Sequence, residues 1–387
     1  MSKYTYAVLG AGRQGTSAAY DLARFGEAKR IFLVDRDQRT ALASAERINQ
    51  LLGSDLASGK TLDVSDRMAL EAFLPGVDVA LSAVPYYFNL EITQACLEAG
   101  VSLCDMGGHT EVVRQQLALD SEAQEARVSI VPDCGMGPGL NVTMAMYAVE
   151  LLDEARAVHI FDGGLPQDPI PPWNYQATFH INGLTNELDG QATFLRNGVL
   201  TQVDTLTEPE FIDFPPLGRL EADVTSGGMS TSPWTLQGQL QEYTNKTLRY
   251  PGHFEWLRAF KELGLFSEKA IEIHGKQVVP REVYHALLEP KIRAEDIRDI
   301  CVMRVVGYGL KDGKETTLTV DLVDRYDEET GFTAMERLTG WHCAIMMGFQ
   351  ARDRVPTGGV SLEVAVPAAE FMEAIRQRGI QFEVRFE

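Results

Sequence analysis

Apolar positions along this chain fall into short continuous runs, separated by stretches with a helical repeat, and the alternation begins at once. Tyr4-Thr5-Tyr6-Ala7-Val8-Leu9 has the length and composition of a buried strand. Gly10-Ala11-Gly12-Arg13-Gln14-Gly15 follows, then Ser17, Ala18, Ala19, Leu22 and Ala23 at helical spacing. The helix stops at Gly26, and Arg30-Ile31-Phe32-Leu33-Val34 is a second apolar run that closes on Asp35. The pattern then predicts helices over 38–52, 66–73, 91–99 and 111–126, and strands over 61–64, 77–84, 101–105 and 128–131. Six strands alternating with helices predict an α/β fold, a Rossmann-type doubly wound parallel sheet.

Beyond a helix over 141–152 the texture changes. Strand-like runs at 158–161, 177–181, 200–203, 302–308 and 315–323, with a Pro-rich loop over 163–173, predict an inserted α+β domain on a mixed, largely antiparallel sheet. Helices over 334–350 and 368–378 follow. The first is so apolar around Ile345-Met346-Met347 that it must be buried, and it is expected to return to the first domain. The expected organisation is therefore 1–140 for the dinucleotide domain, 141–334 for the substrate domain, and 335–387 for rejoining helices. A chain of 387 residues suits more than one domain.

A net charge of −20 argues against nucleic acid or an anionic membrane as partner and leaves a small-molecule substrate open. The first strand begins almost at Met1, which leaves no room for a secretory signal, and no uncharged apolar run reaches spanning length. The five cysteines, Cys96, Cys104, Cys134, Cys301 and Cys343, include no CxxC pair and read as reduced thiols of a cytoplasmic protein.

Within Gly10-x-Gly12-x-x-Gly15, Gly10 permits the turn, Gly12 lets a pyrophosphate approach the backbone, and Gly15 lets helix and strand pack closely. The helix N-terminus supplies N–H groups for phosphate, with Arg13 and Gln14 in its first turn. Asp35 lies twenty residues past Gly15, where an acid hydrogen-bonds the adenosine ribose. A carboxylate there repels a 2′-phosphate, so NAD is the expected cofactor, although Arg36 and Arg39 beside it soften the choice. Ligands of such sheets bind at the carboxyl ends of strands. That rule marks Asp63-Val64, Ala83-Val84-Pro85, Asp105-Met106-Gly107-Gly108 and Pro132-Asp133-Cys134-Gly135 as mouth loops.

Three polar, glycine-bearing loops hold further candidate chemistry: 133–139, 225–234 and 246–253. Arg249 reads as a two-pronged carboxylate clamp or as a surface salt bridge. His253 reads as a proton acceptor or as a cap for the helix over 254–263. Lys246 reads as a base, a carboxylate-orienting cation or a solvated lysine. His159, His180, His274, His285 and His342 have no metal-ligand spacing, so no metal is expected. Hydride transfer needs none.

The glycine fingerprint is followed, in order, by Ser82-Ala83-Val84-Pro85-Tyr86-Tyr87-Phe88-Asn89, Asp105-Met106-Gly107-Gly108-His109-Thr110 and Asp133-Cys134-Gly135-Met136-Gly137-Pro138-Gly139. Gly163-Gly164-Leu165-Pro166 and Thr247-Leu248-Arg249-Tyr250-Pro251-Gly252-His253 come after them. This succession resembles the saccharopine dehydrogenase-like family over essentially the whole chain, and most the branch that contains lysine 6-dehydrogenases. The resemblance implies a Rossmann domain, an inserted substrate domain and C-terminal helices that rejoin the first, usually in a homo-oligomer such as a dimer. It implies NAD(P)-linked oxidation of a carbon bearing an amine, here the ε-amine of L-lysine, giving a semialdehyde that cyclises to a piperideine carboxylate. By position, Pro85, Tyr86 and Asn89 would line the nicotinamide side, and the loop from Asp133 through Gly135 to Gly139 would lie beneath the substrate. Arg249 and Tyr250 would hold the α-carboxylate, Asp133 a substrate ammonium, and His253 or Tyr86 would handle the proton. Many relatives read Thr-Gly-aromatic-Pro where this chain has Thr339-Gly340-Trp341-His342, which bears on substrate fit. Alternatives are saccharopine, a carboxylated polyamine made by reductive condensation, or an NAD-binding sensor without activity. Saccharopine, with three carboxylates, should need a further arginine, from among Arg196, Arg219 and Arg281.

Overall fold

The computed structural model describes residues 3–177, 181–294 and 296–387. The apolar runs of the first half are buried on both faces, as a parallel sheet covered by helices requires. β1 (Tyr4–Leu9), β2 (Ala28–Asp35), β3 (Ala57–Thr61), β4 (Val79–Ser82), β5 (Ser102–Asp105) and β6 (Ser129–Val131) lie in the order β6-β5-β4-β1-β2-β3. All their pairings are parallel. The chain leaves β1 toward one edge and returns at β4 on the other side. The carboxyl ends of β1 and β4 therefore flank a topological switch point, where such sheets bind ligands.

β3 sits earlier than the apolar pattern predicts. It is an edge strand pressed against helix Gln38–Leu52, and a Cβ on Gly59 would lie 2.7 Å from the Ala41 carbonyl. Close packing, rather than hydrophobicity, selects its residues. Asp63 and Val64 fall in the turn beyond it. The stretch predicted as one helix over 111–126 is two, Thr110–Leu117 and Asp120–Ala126.

The second sheet is mixed. β7 (Glu154–Pro166) pairs antiparallel with Asp299–Lys311, which continues to Lys314–Arg325. On its other edge β7 pairs parallel with Glu242–Arg249, followed by Gly218–Val224 and Glu210–Phe214. β7 runs on through Gly163-Gly164-Leu165-Pro166, which the sequence places in a loop, and residues 246–249 are strand as well. Of the strand expected over 177–181, residues 178–180 lie outside the described residues and Ile181 opens helix Ile181–Glu187.

The C-terminal segment touches both sheets. The helix expected over 334–350 is instead Ala334–Glu336, a π-helical stretch Arg337–Trp341, and His342–Ala351. Gly340 explains the close crossing on α1 (Arg13–Phe25), because a Cβ there would lie 2.7 Å from the Gln14 carbonyl. Gly358–Gly359 adds a seventh strand to the first sheet beside β6. Phe382–Phe386 pairs with Lys314–Arg325 of the second sheet, a strand the apolar pattern does not announce. Among the described residues, no helix is long and apolar enough to cross a membrane.

Candidate active site

At the switch point, α1 begins after Gly12 with no side-chain cap, which leaves its first-turn N–H groups to an outside acceptor. Gly10 adopts φ +107° and a Cβ there would lie 2.5 Å from the Ala83 carbonyl; one on Gly15 would lie 2.0 Å from the Gly10 carbonyl. The fold itself requires these two glycines. Gly12 is different: its φ is −72° and a Cβ would meet nothing within 4 Å. The space above it fits a pyrophosphate. Gln14 lines the same opening and keeps a buried Oε1 with no partner among the described residues. Asp35 accepts the Ala11 N–H (3.1 Å) and the Asp37 N–H (3.0 Å), with Arg36 exposed beside it. These groups fit a nicotinamide dinucleotide. Arg13 pairs with Glu336, its Nε 2.5 Å from the carboxylate. Asp63 accepts the Ser65 N–H and hydroxyl (2.9 and 2.7 Å), which hold its carboxyl below the usual range.

A cleft of about 740 Å³ continues from this opening between the two sheets. Ala83, Val84, Pro85 and Tyr86 line it at the end of β4, Gly107 and Gly108 beyond β5, and Gly135 beyond β6. Tyr86 stacks on His109, ring centroids 5.0 Å apart. The facing wall is the second sheet. In strand Glu242–Arg249 alternate side chains point to one face, so Asn245, Thr247 and Arg249 line the cleft together.

Arg249 is 4% exposed. Its guanidinium donates to the Leu248 carbonyl (2.9 Å), lies 5.2 Å from the Tyr175 ring centroid, and faces Glu187 at 3.6 Å. Its Nε has no partner among the described residues. Gly163 makes room for it, since a Cβ there would lie 2.3 Å from the Leu248 carbonyl and 3.2 Å from the guanidinium. Burial pushes Glu187 up to about 7, against the pull of Arg249. Asp162, the residue before the Gly163-Gly164 pair, is buried on β7. It accepts the Asn245 amide at 2.7 Å, with the Asn141 amide at 3.4 Å from its other oxygen. Desolvation raises it to about 6, while Asn245 and Arg249 oppose the rise. Arg281 also lines the cleft but is committed to Asp189 and Glu268, each at 2.8 Å.

Several residues singled out from the sequence are placed elsewhere. Lys246 is three positions from Arg249 and so points to the opposite face of the strand, and Tyr250 follows the strand's last residue. Lys246 pairs with Glu210 (2.5 Å), and the Tyr250 hydroxyl donates to the Pro166 carbonyl (3.0 Å). His253 is buried beside Trp173 and Tyr175, and burial pushes it down to about 3, so it is a neutral packed imidazole outside the cleft. Nor does it cap its helix: Glu221 does, accepting the Gly252 and Phe254 N–H groups at 3.0 and 2.6 Å. Asn89 is buried and accepts the Ser82 hydroxyl (2.7 Å).

Asp105 works from beneath, accepting Gly107 N–H (2.7 Å), Asp133 N–H (3.0 Å) and the Gln116 amide (2.7 Å), and so ties two mouth loops together. Asp133 lies behind Gly107, whose Cβ would fall 1.7 Å from Asp133 Oδ1. Gly139 takes φ +143° at the entry to helix Leu140–Leu151. Reading the residues by sequence missed Asp162, Glu187 and Asn245. Strand parity with Arg249 marks Asn245. Asp162 and Glu187 are acids in segments without a local signal.

A saccharopine dehydrogenase NADP binding domain matches residues 6–131, and a saccharopine dehydrogenase C-terminal domain matches residues 135–380. Saccharopine dehydrogenase [NADP(+), L-glutamate-forming] of Saccharomyces cerevisiae is 23% identical over 66% of this chain and 58% of its own length. The chain spans about half the length of the fungal saccharopine dehydrogenases it matches. Carboxyaminopropylagmatine dehydrogenase of Synechocystis is 23% identical over 80% of this chain and 79% of its own length. For carboxynorspermidine synthase of Vibrio alginolyticus the figures are 23%, 72% and 69%. The apo yeast saccharopine dehydrogenase structure superimposes over the full length of both chains with a TM-score of 0.79 at 19% identity. Homospermidine synthase of Legionella pneumophila, solved with NAD, has a TM-score of 0.66 at 11% identity over all of this chain and 92% of that one. The chain belongs to the saccharopine dehydrogenase family.

Proposed function

We propose that this protein is an NAD(P)-dependent dehydrogenase of secondary amines, and that its substrate joins an amino-acid head to a cationic amine chain, as in a carboxylated polyamine. The observation that carries this reading is the charge balance of the cleft. Arg281 is bonded to its own acids, so Arg249 is the guanidinium that faces the space, and Asp162 and Glu187 face it too. An amino-acid head suits the Arg249–Glu187 pair, with its carboxylate on the guanidinium and its ammonium on the acid. Asp162 remains for a second cationic nitrogen. A bound nicotinamide dinucleotide supplies the oxidant for the carbon beside that nitrogen, and the Asp35 carboxylate favours NAD. The protein's own contribution is positioning in a cleft that the two domains shield from water.

Saccharopine suits the cleft less well. Arg249 can hold one of its three carboxylates, and the other two lack counter-charges: Arg196 is paired with Glu208 (2.7 Å), Arg219 lies over Phe211 outside the cleft, and Arg281 is neutralised. L-lysine oxidation rests on the motif resemblance alone, for none of the relatives named above is a lysine 6-dehydrogenase. The polyamine-type relatives also align over larger shares of both chains than the yeast enzyme does.

The experiment is NADH or NADPH formation with a carboxylated polyamine, saccharopine and L-lysine, each with NAD and with NADP. Turnover of the carboxylated polyamine with NAD is the expected result. Turnover of saccharopine or lysine in its place overturns the substrate reading.

A further inference from the structure

Oxidising a secondary ammonium requires a base, because the nitrogen must give up a proton before its electron pair can form a C=N bond. Of the residues that sequence reasoning offered for this, Lys246 and His253 lie outside the cleft, while Tyr86 lines it on the first-domain side with its ring stacked on His109. Among the cleft acids, Glu187 is held against Arg249 and Glu268 against Arg281. Asp162 makes no ion pair among the described residues, and its oxygens accept hydrogen bonds from two carboxamides. It stands on the central strand of the second sheet, between Asn245 and Thr247 on one side and Met303 on the other. Asn141 reaches it from helix Leu140–Leu151. Gly137 gives it room, because a Cβ there would lie 2.5 Å from Asp162 Oδ2. The charged groups that act on it are Arg249 and Glu187.

We infer that Asp162 is the catalytic base, taking the proton from the substrate's secondary ammonium nitrogen. The inference rests on the amine-dehydrogenase reading above. The N–H bond breaks toward Asp162 and its electron pair stays on nitrogen. That pair becomes the second bond of C=N as the C–H electron pair passes to the nicotinamide oxidant. Water then adds to the carbon and the C–N bond breaks, giving an aldehyde and a primary ammonium. The proton held by Asp162 is the one released overall. A carboxyl that titrates near pH 6 is ionised at neutral pH and ready to accept it.

The test is Asp162→Asn in the full-length protein, with kcat and KM measured from pH 5 to 9 on the best amine substrate. The wild type should lose kcat/KM below about pH 6. D162N should lower kcat by about 100-fold or more, raise KM for the amine because the counter-charge to its nitrogen is lost, and abolish that acid limb. Asn245→Ala is the second variant: it removes an amide that stabilises the carboxylate, and so should move the limb to higher pH. An active wild type whose D162N variant keeps the limb, or whose N245A limb stays in place, overturns the assignment and points to Glu187. A wild type that turns over no amine overturns the substrate reading, and this assignment with it.

Discussion

Asp133 combines a left-handed backbone (φ +62°), 1% exposure and a carboxylate oxygen with no partner among the described residues. Burial, and then the charge of Asp105, push it up to about 7. In the unfolded chain the same carboxyl titrates near 3.9, so between these values the folded state holds the extra proton. Stability from this group is therefore highest at low pH, falls as pH rises toward 7, and stays low above it. Asp133→Asn should stabilise the protein at pH 8 by on the order of 3 kcal/mol, with the gain vanishing near pH 4, in urea unfolding across that range. Asparagine tolerates the left-handed backbone, so the comparison isolates the charge. This placement was not legible beforehand: the sequence marks Asp133 as a mouth-loop residue, but Gly107, which lets the carboxylate sit behind the loop, is 26 positions away.

Elements differ in how much of their role can be read locally. The fingerprint of β1 and α1 was legible as a unit, because strand, turn, helix and acid occupy one short stretch with fixed spacing. The structure separates the glycines by cause. Gly12→Ala adds a methyl where nothing stands, so unfolding should shift by less than about 0.5 kcal/mol, while KM for the dinucleotide rises about tenfold or more. Gly15→Ala drives a methyl into the Gly10 carbonyl and should cost about 1–3 kcal/mol in a denaturant melt. If Gly12→Ala destabilised the fold while leaving dinucleotide KM alone, the empty space above α1 would not be the phosphate site. Strand Glu242–Arg249 was less legible. Its end, Lys246-Thr247-Leu248-Arg249, reads as part of a polar loop over 246–253, because one face lines a cleft and bears hydrogen-bonding groups. Once the strand is recognised, period two separates Arg249 from Lys246.

At the scale of the whole molecule, the last 50 or so residues add a strand to each sheet, and a long-range ion pair helps to dock them. The expected return of the C-terminal helices was legible in the apolar run around Ile345-Met346-Met347, which needs a buried partner. The final strand was not, since pairing with Lys314–Arg325 depends on a sheet edge built far earlier in the chain. Between them Arg378 reaches back to α1, its guanidinium bidentate on Asp21 at 2.7 and 2.8 Å and lying 4.6 Å from the Phe25 ring centroid. Asp21 is 1% exposed, so this carboxylate has no access to water. Removing the cation leaves an uncompensated buried charge, which costs far more than the intact pair contributes. Arg378→Met should therefore destabilise the fold by about 3–5 kcal/mol in denaturant unfolding at neutral pH. Replacing both partners, with Asp21→Leu beside Arg378→Met, should recover most of that loss. If the double variant is no more stable than Arg378→Met alone, the pair is not what costs stability, and the docking of helix Ala368–Gln377 rests on its apolar face, Phe371, Met372 and Ile375. Dinucleotide and substrate KM should change little in the double variant, because neither Asp21 nor Arg378 lines the cleft.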